Sequence, residues 1–220
     1  RIQREGKEEK TYKSFLTKIL QMVHNTGLIS NSNVIDGNKK EKSIYKDRDL
    51  EINLIYPRNI DITGESQINN YSGVIEIKYK ENKMLLTGDL EEGGWYKLYK
   101  YINQYQNQDC LNADILKMPH HGAFYEGQDK GTLGTNEILE FVKPDYAIIS
   151  TAENRRYQHP NIKTIRELRN KDIKILCTNL TSVCKNDCEC FGDIVIDIDD
   201  NIIVKDYDIK AQSLYCVMNF

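Results

Sequence analysis

Apolar residues recur along the chain in two rhythms. In Thr11–His24 (TYKSFLTKILQMVH), Phe15, Ile19, Leu20, Met22 and Val23 fall at near-helical spacing. That spacing predicts an amphipathic helix, which Asn25-Thr26-Gly27 ends. Ser30–Arg48 is polar and lysine-rich, with a short strand expected at Asn33–Ile35. Glu51–Tyr56 alternates and is closed by Pro57, which predicts a strand. Asn59–Asn70 reads as a polar loop. Ser72–Tyr79 and Lys83–Thr87 alternate around a turn at Glu81-Asn82, a hairpin whose second arm runs into Gly88-Asp89. A helix is expected over Trp95–Gln104, then a buried strand, Ala113–Met118, ending at Pro119-His120-His121-Gly122. Helix Thr135–Val142, strand Tyr146–Ser150 and helix Asn161–Asn170 follow. Strands are expected at Ile173–Cys177, Asp193–Asp197 and Ile202–Val204. Strands alternating with helices predict an α/β (α+β) layered domain, with helices packed on sheets.

Composition narrows this picture. The 220 residues, 40% of them hydrophobic, are enough for one domain with a buried core. Lys and Arg number 30 against 33 Asp and Glu, a net charge of -3. That balance excludes a charge-driven, tail-like nucleic-acid binder, so any such binding must come from a local patch. No stretch approaches the roughly 20 apolar residues of a membrane span. Arg1–Lys10 is polar and charged, unlike a signal peptide. A cytoplasmic location without a membrane span is the expectation.

Three loops carry candidate chemistry, each at the end of an apolar strand. Thr87-Gly88-Asp89 presents a carboxylate where layered α/β folds bind ligands; an Asx-turn or helix cap is the plain alternative. Pro119-His120-His121-Gly122 presents paired imidazoles that point apart, so one can ligate a metal while the other supports it or moves a proton. Two exposed loop histidines are the alternative. Asn154-Arg155-Arg156-Tyr157-Gln158-His159-Pro160 places an imidazole before the first turn of a helix. Its two guanidinium groups suit a phosphate, unless this is an ordinary polar connection. Taken together, Asp plus His is ligand chemistry for zinc or manganese, and a carboxylate can bridge two ions.

The runs NNYSGVIEIKYKENKMLLTGDLE, ADILKMPHHG, KPDYAIIS and ENRRYQHP…IRELRNKDIKIL resemble the metallo-β-lactamase-fold hydrolases, and among them the hydrolase domain of ComEC-type competence proteins. The resemblance covers roughly Asn69–Asp199. It implies an αββα sandwich with a metal site at one sheet edge, and phosphodiester hydrolysis of DNA. It makes Asp89, His121 and His159 metal ligands and His120 a supporting or proton-transfer group. Arg155, Arg156 and Lys163 become phosphate contacts. Asn69 and Asn70 lie where the wider superfamily often has a further histidine and this subgroup commonly has Asn. Ala123-Phe124 follows the HHG motif where the subgroup usually has Ser. The superfamily's upstream HxxxDH motif and first strand pair have no counterpart, and His24 is the sole histidine before Asp89. The expectation is therefore a single domain over 1–220 that is partial at its amino end. Either a missing half or partner subunit completes it, or the chain is a degenerate relative with an incomplete site.

Cys177, Cys184, Cys188 and Cys190 cluster in a Cys-rich insertion over 177–192, apart from the isolated Cys110 and Cys216. Four thiols in a loop can hold a structural zinc; a disulfide pair and idle thiols are the alternatives. The leading expectation is a divalent-metal phosphodiesterase or nuclease, using zinc or manganese, one ion or two. The alternatives are a hydrolase of another small ester or phosphodiester, and a non-catalytic interaction module.

Overall fold

Eight strands lie side by side in the order in which the chain makes them: β1 (Ser43–Lys46), β2 (Leu50–Tyr56), β3 (Val74–Tyr79), β4 (Asn82–Leu86), β5 (Ile115–Lys117), β6 (Tyr146–Ile149), β7 (Lys174–Cys177) and β8 (Glu189–Cys190). The computed structural model describes residues 43–57, 68–105, 111–151, 159–179, 181, 189–190, 192–198 and 202–206. All of them belong to one compact unit, Gly37–Phe220. The helix expected at Thr11–His24 and the strand at Asn33–Ile35 lie outside the described residues.

The first four strands are antiparallel neighbours and the rest run parallel. Local chemistry explains the change. β3 and β4 are joined by a tight turn with Lys80 at φ 51, one residue earlier than the expected turn. From β4 onward each return needs a crossover, and three helices supply the regular ones: α1 (Glu92–Tyr105), α2 (Thr135–Val142) and α3 (Ile162–Asn170).

The strands' alternation sorts the core into two faces. Leu85, Leu116, Ala147, Ile149, Ile175 and Cys177 pack with Trp95, Leu98 and Ile102 of α1, Ile138, Leu139 and Val142 of α2, and Ile165 and Leu168 of α3. On the opposite face, Ile115, Ile148 and Leu176 meet a second sheet, the hairpin β9 (Ile194–Ile198) and β10 (Ile202–Asp206). Side chains one residue apart on β5, β6 and β7 thus serve different layers. The layered α/β class expected from the sequence is the one that forms.

Four elements depart most from the expectation. α1 starts at Glu92, three residues before Trp95, although Gly93-Gly94 reads as a breaker. Gly94 is there for proximity. A Cβ on it would lie 2.8 Å from the Asn70 carbonyl oxygen, and its N–H donates to Asn70 Oδ1 at 2.8 Å. β5 is shorter than Ala113–Met118, because Asp114 turns to bracket the neighbouring strands. Its carboxylate accepts from Lys83 N at 2.6 Å, and its carbonyl from Tyr146 N at 3.0 Å. β1 and β8 were not expected at all.

Candidate functional site

β4, β5, β6 and β7 are parallel, so their carboxyl ends open onto one end of the sheet, where β3 also begins. β4 delivers Thr87-Gly88-Asp89 there, β5 delivers Met118 to Gly122, and β6 delivers Ser150-Thr151. Asp89 N donates to Ser72 Oγ at 3.2 Å, which ties the carboxylate's loop to the start of β3. The Gly88 carbonyl accepts from His120 N at 3.2 Å and from Lys117 Nζ at 2.9 Å. Thr87 Oγ1 donates to the Lys117 carbonyl at 2.7 Å. The Asp89 loop and the two-histidine loop are thereby braced as one piece.

The Pro119–Gly122 segment is bent by an unusual backbone. His120 and His121 have φ 44 and φ 56, in the left-handed region that side-chain-bearing residues seldom occupy. Such strain persists only where surrounding contacts over-determine it, and it gathers at functional sites. Gly122 follows at φ 80. A Cβ there would sit 3.0 Å from Pro160 Cβ and 3.3 Å from Ile149 Cγ2. The chain at Pro160 can approach that closely only because position 122 is glycine. Asn161 N donates to the Gly122 carbonyl at 3.0 Å, and Thr151 Oγ1 to the His159 carbonyl at 3.0 Å. These contacts bring His159 beside the histidine pair, its ring centroid 5.3 Å from that of His120.

The histidines are not equivalent. His121 Nδ1 lies 2.6 Å from the Ser150 carbonyl oxygen. A carbonyl only accepts, so this nitrogen carries the proton and Nε2 presents its lone pair in the neutral ring. That lone pair faces Asp89 Oδ1 at 3.5 Å, too long for a good hydrogen bond. A proton or a cation can sit between two acceptors so placed. His120 Nδ1 is buried and 3.3 Å from Glu91 Oε1, within ion-pair range but misaligned for a hydrogen bond. Glu91 is itself held by Asn69, whose Nδ2 donates to Oε1 at 3.0 Å. Burial, and then the proximity of His120 and His121, lower the pKa of His159, and Asp89 opposes them. Its neutral, ligand-ready form is favoured. Burial, then Glu91, Asp89 and Glu92, hold the Tyr125 hydroxyl far above the usual phenol range, so it stays protonated; it donates to the Leu90 carbonyl at 3.3 Å.

The structure thus brings Asp89, His120, His121 and His159 to one end of the sheet. Asn70 is a brace, buried and bonded to Gly94, while its carbonyl accepts from Tyr56 Oη at 2.7 Å. Lys163 sits in the first turn of α3 with its ammonium paired to Glu126 and lying over the Phe124 ring. Arg155 and Arg156 lie outside the described residues, as do Cys184 and Cys188. Cys177 is buried in the helix-side core, and its backbone pairs with that of Cys190 across β7 and β8. Glu91, Ser72 and Lys117 are site neighbours that sequence reasoning missed. Only for Glu91 was there a signal, its place two residues after Asp89.

Donor chemistry and spacing agree with a divalent cation. Two ligands of one tetrahedral ion, at metal–donor lengths of about 2.0–2.2 Å, stand about 3.4 Å apart; Asp89 Oδ1 and His121 Nε2 are 3.5 Å apart. Among the described residues, no group of three or more His, Cys, Asp or Glu is placed to hold an ion. Asp89 and His121 are therefore a two-donor pair, with the His159 ring near His120 but in no three-membered group with them.

No family model matches the chain. It is 31% identical over 140 residues to ComE operon protein 3 of Bacillus subtilis (strain 168), covering 64% of this chain and 16% of that protein. It is 28% identical over 124 residues to competence protein ComA of Neisseria gonorrhoeae, covering 56% of this chain and 15% of that protein. These relatives support the likeness to ComEC-type competence proteins drawn from the motifs. The chain spans about one sixth of their length. No described helix is long and apolar enough to cross a membrane.

Proposed function

We propose that this chain forms part of a metallo-β-lactamase-like, divalent-metal hydrolase that cleaves phosphodiesters, with DNA as substrate. One observation carries the reading: Asp89 Oδ1 faces the His121 Nε2 lone pair at 3.5 Å, and that lone pair is fixed by Nδ1 at the Ser150 carbonyl. Asp89, His121 and His159 would hold the ion. When bound, zinc or manganese supplies Lewis-acid polarisation of a phosphoryl oxygen and lowers the pKa of water. The chain's own residues supply the rest. Ser72 and Lys117 orient the Asp89 loop. The Ser150 carbonyl fixes the His121 ring. Glu91 beside His120 Nδ1 favours the proton on that nitrogen, which leaves Nε2 to accept one from a reacting group. DNA as the substrate is our extension from the likeness to competence proteins.

A second reading, a non-catalytic interaction module, is favoured by the absence of a third converging ligand among the described residues. One experiment separates the two. Wild type and Asp89→Ala are incubated with single- and double-stranded DNA, with Mn²⁺ or Zn²⁺ and with EDTA. The hydrolase reading expects cleavage that needs metal and falls at least about a hundredfold in the variant, the loss typical of a group acting in the transition state. Equal rates in both proteins, or no cleavage by either, would end it.

A further inference from the structure

Lys117 is the last residue of β5. It lies two positions after Ile115, so it shares that residue's face, toward the β9–β10 side. Its ammonium has three donors. One goes to the Gly88 carbonyl at 2.9 Å, and no other hydrogen bond or ion pair engages it among the described residues. The bond holds the ammonium against the loop that carries Asp89, the acidic group whose charge it feels most. Burial opposes that charge, so the group has given up part of its water without gaining a full set of partners. Lys163, expected to contact phosphate, differs in this respect, since Glu126 neutralises it. An anionic diester approaching Asp89 and Glu91 would meet like charge, and Lys117 is placed to offset it.

We propose that the Lys117 ammonium binds a non-bridging oxygen of an anionic phosphodiester beside Asp89 and His121. The Gly88 carbonyl fixes the ammonium's position and leaves two donors for the ligand. The inference rests on the hydrolase reading for the identity of the anion, but the contact can be measured without turnover. Dimethyl phosphate serves as the probe, titrated calorimetrically into wild type, Lys117→Gln and Lys117→Arg, with Zn²⁺ and again in EDTA. Gln can still donate to the Gly88 carbonyl but has no charge. Its affinity should fall about tenfold or more, as loss of a charge-assisted bond requires, with Arg restoring most of it. Affinity of Lys117→Gln within twofold of wild type overturns the proposal, as does wild type that binds no dimethyl phosphate. A second measurement leaves the ammonium unmodified: in wild type labelled with ¹³C at the lysine Cε, the Lys117 signal must shift as the probe is added, and an unmoved signal is equally fatal. Failure of the hydrolase reading looks different. Wild type would then cleave no DNA with metal, while its dimethyl phosphate binding still depended on Lys117.

Discussion

At the scale of single residues, His159 shows what its surroundings do to stability. Burial, and then the charges His120 and His121 can carry, set its folded pKa below the ordinary value of 6.5. Below 6.5 the unfolded chain therefore takes up a proton that the folded chain resists. His159 thus leaves stability intact above that pH and removes it as pH falls through the folded value. In EDTA, the melting temperature of wild type should drop more steeply between neutral pH and pH about 5 than that of His159→Gln, a window set by the reference histidine value. Parallel curves would mean that His159 titrates as if in water. The histidine itself was legible in the sequence because it precedes Pro160 at a helix start. Its depressed pKa was not legible, since that depends first on burial and then on His120 and His121 arriving from another strand. The same holds for Glu91, Ser72 and Lys117. Each owes its place at the site to a partner 17 to 29 residues away: Glu91 to Asn69, Ser72 to Asp89 and Lys117 to Gly88.

At the scale of elements, α3 links local capping to the site. Asn161 caps it, its side chain accepting from Lys163 N at 2.9 Å while its own N–H donates to the Gly122 carbonyl. One residue thus starts the helix and ties down the two-histidine loop. Thr164 Oγ1 adds a second tie, to the Ala123 carbonyl at 3.0 Å. Asn161→Ala should cost about 1 kcal/mol, the usual loss for a cap, and Asn161→Asp should recover most of it. Urea unfolding gives the comparison, and an unchanged midpoint for Asn161→Ala would show the cap to be idle. The start of this helix was legible because Asn is a capping residue before an apolar period. β1 was not, because SIYK is four residues long, exposed throughout and set among lysines. Its strand character comes from pairing with β2, which no local pattern records. β8 was hidden for a similar reason: its two residues lie in the cysteine-rich stretch and are ordered by β7.

At the scale of the whole molecule, the central sheet is covered unequally, and the inequality can be measured. Leu116 is fully buried between the sheet and the helices. Ile196 of the hairpin is only partly buried against Ile115, Ile148 and Leu176. Truncating a closed site loses both the transfer energy of the removed atoms and the contacts around the cavity left behind. Leu116→Ala should therefore cost about 3 kcal/mol, within the usual range for buried leucines. Ile196→Ala exposes a side chain that already meets water, so about 1 kcal/mol is expected from its smaller buried area. Urea denaturation of both variants, with m-values checked against wild type, tests the difference. A cost for Ile196→Ala equal to that for Leu116→Ala would mean that the hairpin closes a core as tight as the helical one. The short apolar runs of β5, β6 and β7 made strands legible in the sequence, but not which of their two faces the helices take. That choice follows from the hand of the crossovers between parallel strands. The same parallel run from β4 to β7 places Asp89 and the histidines together, so the layering that stabilises the sheet also assembles the site.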